Sequence, residues 1–86
     1  MKLFTALAAL TLIAAPAYAV SYEQAYTGGA LYGAACAVRE GRINESQAGL
    51  VVVTTLREQG ISTSYVSDPV AQQLALLTYA RKGGCR

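Results

Sequence analysis

Histidine and tryptophan are absent from this 86-residue chain, and each absence narrows what it can do. Without histidine there is no Ser-His-Asp or Cys-His arrangement, no His-containing metal motif and no side chain that ordinarily titrates near neutral pH. The two cysteines, Cys36 and Cys85, stand too far apart for a C-x-x-C redox or zinc motif. Charge is scarce and balanced, with seven basic residues against five acidic ones. A nucleic-acid binder needs clustered cations, and none gather beyond Arg81, Lys82 and Arg86 at the C-terminus, where they complement a helix dipole. Glu40 and Glu45 are the nearest approach to a carboxylate pair, and at that spacing they cap or solvate helices. A Ser-Lys pair would have to recruit Lys82 at a fraying end, and Gly28-Gly29 and Gly83-Gly84 lack the strand-loop-helix context of a phosphate cradle. The chain is therefore expected not to be an enzyme, and to hold no metal or cofactor.

What is present begins with an address. Lys2 supplies a positive n-region, Leu3 to Ala15 an apolar run, and Ala17-Tyr18-Ala19 a small-x-small cleavage site. The run is shorter than the ~20 residues of a bilayer-spanning helix, so residues 1–19 read as a signal peptide and residues 20–86 as a single small domain, periplasmic or secreted. In that domain the uncharged stretch from Gln24 to Val38 is too short to span a membrane. The compact leader resembles bacterial ones. Asn44-Glu45-Ser46 matches a glycosylation sequon, a pattern short enough to occur by chance.

Punctuation in the remaining chain marks three helices. Ser21 with Gln24 forms a capping box, and the helix it opens should run from Tyr22 to about Glu40 and stop at Gly41. Asn44 with Gln47 opens a second, ended by Gly60, with Ile61 placed to fold back onto Leu56 in a Schellman motif. Asp68 and Pro69 announce a third, closed by Gly83-Gly84. Val51 to Thr55 is a β-branched run that would suit a strand, yet it is capped as a helix and a lone strand has no partner here. Residues 62–66 read as an extended connector. The expected fold is an all-α, up-down-up three-helix bundle, with Leu31, Val38, Leu50, Val52, Val53, Leu56, Val70, Leu74 and Leu77 as its core.

Such a layout sets the first and third helices parallel and carries Cys36 and Cys85 to the same end, each roughly 20 Å along its helix. An oxidising compartment favours a disulfide between them. Closing that loop contributes about 4 kcal/mol by the chain-entropy treatment, a large share for a domain of this size.

An exported chain of this size, with a single bridge tying an early helix to a late one, resembles small periplasmic acid-stress chaperones. The segment from Thr27 to Cys36 is similar to the helix-with-cysteine openings of some small periplasmic helical proteins, including immunity proteins. The chaperone resemblance implies dimers that open at low pH to expose apolar surface. No functional residue is carried over from it.

Two features remain as interaction candidates. Tyr22 and Tyr26 share a helix face one turn apart and are the candidates for a protein-binding surface. The plainer reading of the tyrosines is a boundary layer that buries its rings around a thin core and keeps its hydroxyls wet. Gly29 and Gly33 form a G-x-x-x-G, expected to let the third helix approach closely, with a homodimer seam as the lesser reading. The favoured function is a small exported protein-binding module. A membrane-active or toxin-like peptide and a periplasmic stress chaperone are the alternatives.

Overall fold

A computed structural model describes residues 19–85. Of the expected leader, residues 1–19, all but Ala19 lie outside the described residues. Three helices follow, α1 (Tyr22–Arg39), α2 (Glu45–Glu58) and α3 (Pro69–Lys82), with a 3-10 turn over Thr63–Ser67 between α2 and α3. Among the described residues there is no strand.

Each helix starts where local hydrogen bonding dictates. Ser21 Oγ accepts from the Gln24 backbone N–H at 3.1 Å, and Gln24 Oε1 accepts from the Ser21 N–H at 3.0 Å. Asn44 and Gln47 repeat that box at 2.8 and 2.9 Å. Asp68 Oδ2 accepts from the Ala71 N–H at 3.1 Å, with Pro69 in the first turn. Two donors are satisfied reciprocally in each box, which is why the β-branched run from Val51 to Thr55 is held in α2. The stops are equally local. At the end of α2 the Ile61 N–H donates to the Leu56 carbonyl at 2.9 Å and the Gly60 N–H to the Arg57 carbonyl at 3.0 Å, the two bonds of a Schellman motif. Gly60 sits at φ +71°, where a Cβ would be strained.

The segment expected to be extended is instead the 3-10 turn. Ser62 Oγ accepts from the Ser64 N–H at 3.2 Å and starts it, and Tyr65 and Val66 pack from it onto the core.

The tertiary arrangement is organised around α1. The ends of α1 and α3 are tied twice: near their starts Gln24 Nε2 donates to Asp68 Oδ2 at 3.2 Å, and near their finishes Cys36 and Cys85 are joined, with Cα atoms 5.4 Å apart. The two helices are therefore parallel. Parallel dipoles repel, and the charges offset this, with Glu23 in the first turn of α1 and Arg39, Arg81 and Lys82 in the last turns. α2 packs antiparallel on another side of α1, and α2 and α3 do not pack against each other.

The core is made of smaller residues than the aliphatic pattern implies. Ala34, Val52, Leu56 and Ile61 form its centre, with Ala37, Cys36 and Ala71 also buried. Full burial of Leu56 alone is worth about 1.5–3 kcal/mol. Leu50 is a correction: it is 64% exposed, because the inward stripe of α2 runs through Ala48, Val52 and Leu56 and places Leu50 on the far side. Leu31, Val38, Val53, Val70, Leu74 and Leu77 are half-buried.

Candidate functional site

Tyr22, Tyr26, Gly29 and Gly33 follow one another at four-, three- and four-residue spacings and so lie along one line of α1. The tyrosine rings are 5.8 Å apart and inclined at 45°. Their environments differ. Tyr22 is 64% exposed, whereas Tyr26 is half-buried against the cluster of Ala34, Val52, Leu56 and Ile61. Tyr26 is thus held by the core, and Tyr22 is the more exposed of the two. A shallow cleft of about 310 Å³, lined by Ala25, Tyr26, Gly29, Ala30 and Thr55, opens beside the pair.

The glycines require a correction. No heavy atom outside α1 lies within 4 Å of where a Cβ on Gly29 or Gly33 would stand, so neither lets α3 approach. Gly28 does. A Cβ there would sit 2.9 Å from Leu74 Cβ and 3.1 Å from the Ala71 carbonyl oxygen. The physical reason is rotational: Gly28, Tyr32 and Cys36 are spaced by four and share one row of α1, and the row that carries the bridged cysteine must face α3. Steps of four back from Cys36 lead to it. Beside Gly28, Thr27 is fully buried, and its hydroxyl has no hydrogen-bond partner.

At the bridged end, aromatic residues hold the tail that carries Cys85. Tyr32 OH donates to the Gly84 carbonyl at 2.8 Å, and the Lys82 ammonium lies 5.9 Å from the Tyr32 ring centroid. The Arg39 guanidinium is 5.4 Å from the centroid of the Tyr79 ring. Among the described residues no cysteine is free, and no group of three or more histidine, cysteine, aspartate or glutamate residues converges. The bridge is a staple between α1 and the segment after α3.

The opposite side of α1 carries a feature that the sequence does not announce. Because α2 and α3 do not meet, Leu31, Ala35 and Arg39 are left as the floor of an apolar trough. Its larger half is a cleft of about 400 Å³ against α2, and its smaller half one of about 240 Å³ against α3. The signal for it, Leu31, Ala35 and Val38 at helical spacing, is ordinary for a core stripe and becomes distinctive only once the flanking helices are seen apart. Among the described residues, no helix is long and apolar enough to cross a membrane.

Comparison of the chain with family models, with curated proteins and with solved structures gives no match.

Proposed function

We propose that this chain is a small exported protein-binding module, acting in the periplasm or outside the cell, that recognises its partner through the Tyr22 face of α1. The observation that carries the reading is the pair itself: an exposed tyrosine inclined at 45° against a core-anchored one, beside a shallow apolar cleft. An aromatic ring held in place before binding loses little entropy when it docks, and it offers both apolar area and a hydroxyl. Gly29 and Gly33 keep the continuation of that line free of side chains, so a partner surface can lie close to the helix backbone. The partner suited to it is a protein surface with a pocket for one aromatic ring. Export is read from the leader, and the bridge between Cys36 and Cys85 accords with an oxidising compartment.

Affinity capture from the native cell envelope tests the proposal when three baits are compared. A partner retained by the wild type and by Leu50→Ala, whose side chain is exposed on the far side of α2, should be lost with Tyr22→Ala while circular dichroism stays unchanged. Equal capture by Tyr22→Ala would refute the assigned face. Dye release from anionic vesicles at about micromolar protein would instead favour the membrane-active reading.

A further inference from the structure

α3 is attached to the domain differently from α2. The buried apolar cluster draws on α1, on α2 and on the segment from Ile61 to Val66, and among the described residues no side chain of α3 enters it. The fully buried residue of α3 is Ala71, which contributes a single methyl group, while Val70, Leu74 and Leu77 stay half-buried. α2 does not brace α3 either, since the two do not pack against each other. What holds α3 to α1 is concentrated at its ends: the Gln24 amide on Asp68 at the start, and the Cys36–Cys85 bridge with the Tyr32 hydroxyl on the Gly84 carbonyl at the finish. The chain is packed onto the core as far as Val66 and enters α3 at Pro69, which leaves Ser67 and Asp68 as the joint. Beyond α3, Gly83 at φ +72° and Gly84 at φ +119° turn the backbone by a path that favours glycine, so Cys85 rides on a strap rather than on the helix itself.

We propose that the bridge is a redox-operated latch: a dithiol that reduces it releases α3, which swings about Ser67 and Asp68 while α1, α2 and the 3-10 turn stay folded. Cys36 is 6% exposed, whereas Cys85 on its strap is half-buried and the easier of the two to reach. One thiolate of the dithiol attacks Cys85 Sγ, the bond between the two protein sulfurs breaks, and Cys36 leaves as a thiolate that takes up a proton. The second thiol of the reductant, after losing its proton, displaces Cys85 from the mixed disulfide, and that thiolate is protonated in turn. The protein has then gained two electrons and two protons, and the dithiol has become a disulfide. With the covalent tie gone, the far end of α3 has lost its fixed register, and the helix retains one side-chain hydrogen bond to α1 at its start and the contact around Gly28. Elements that bury little apolar surface are the ones that open first. Opening uncovers the Gly28, Tyr32 and Cys36 row of α1, which is closed in the oxidised protein. The latch does not depend on the Tyr22 face, because Tyr22 stays on α1 whether α3 is docked or free.

Amide hydrogen exchange, read residue by residue by NMR, tests it in three forms: the oxidised protein, the protein reduced with dithiothreitol, and the variant carrying both Cys36→Ser and Cys85→Ser without reductant. In the oxidised protein α2 and α3 should both be protected. In the reduced protein and in the double variant alike, Leu74, Leu77 and Thr78 should exchange within about tenfold of the unfolded-chain rate, while Val52 and Leu56 stay at least about a hundredfold slower than that rate. Reoxidation of the wild type should return α3 to its protected state. Protection of α3 that survives reduction would overturn the latch, because the helix would then hold without the bridge. Loss of protection at Val52 and Leu56 in step with α3 would overturn it as well, because the domain would then open as one unit. So would a release of α3 seen with dithiothreitol but not in the double variant, since it could not be assigned to the bridge.

Discussion

Gln24 and Asp68 couple the first turns of two helices that lie 44 residues apart in the chain: the Gln24 amide donates to Asp68 Oδ2 at 3.2 Å while its own carbonyl oxygen closes the cap on Ser21. Asp68 Oδ2 in turn accepts from the Ala71 N–H, so one carboxylate oxygen serves its helix and its neighbour. Together with the bridge at the far end, this contact sets α1 and α3 in parallel register.

Replacing Gln24 by alanine should therefore cost more than an isolated capping residue. Loss of the reciprocal cap and of the interhelical bond should lower stability by about 1–2 kcal/mol, measured by urea unfolding. Asn44→Ala removes a cap with no interhelical bond attached and should cost less, about 1 kcal/mol.

The glycines of α1 should separate into two classes. Gly28→Ala drives a methyl group into Leu74 and the Ala71 carbonyl and should destabilise by about 1–3 kcal/mol despite the better helix propensity of alanine. Gly29→Ala and Gly33→Ala meet open space and should each stabilise by up to about 1 kcal/mol. Thermal unfolding of the three variants checks the ordering.

Thr27 offers the opposite kind of test. Its buried hydroxyl has no partner, so Thr27→Val, nearly identical in shape, should stabilise by about 1 kcal/mol or more. Thr27→Ser keeps the unpartnered hydroxyl and leaves a methyl-sized void, and should destabilise. The pair is compared by denaturant midpoint.

The bridge should account for much of the fold's stability. Oxidised protein should show no free thiol on titration under denaturing conditions, and Cys36→Ser should lower stability by about 4 kcal/mol, since it releases a loop spanning 49 residues in the unfolded chain. Partner binding should weaken only as far as folding does.

The helix limits and the bridge were legible in the amino-acid order because the forces behind them act locally or by connectivity. Ser21, Asn44 and Asp68 satisfy donors three residues away, and Gly60 and Ile61 satisfy carbonyls within the last turn, so no distant part of the chain is consulted. Three short-linked helices then bring Cys36 and Cys85 to one end. The tertiary structure alone decided which side of each helix turned inward. A rotation of α1 by one residue, about 100°, distinguishes Gly28 from Gly29 as the point of close approach, and it is set by Leu74, Ala71 and the bridge, all remote in sequence. The same remoteness explains Leu50, Tyr26 and the trough. Apolar spacing marks a stripe, but whether a neighbouring helix covers it depends on α2 and α3 taking separate sides of α1, and that is determined by packing across the whole domain.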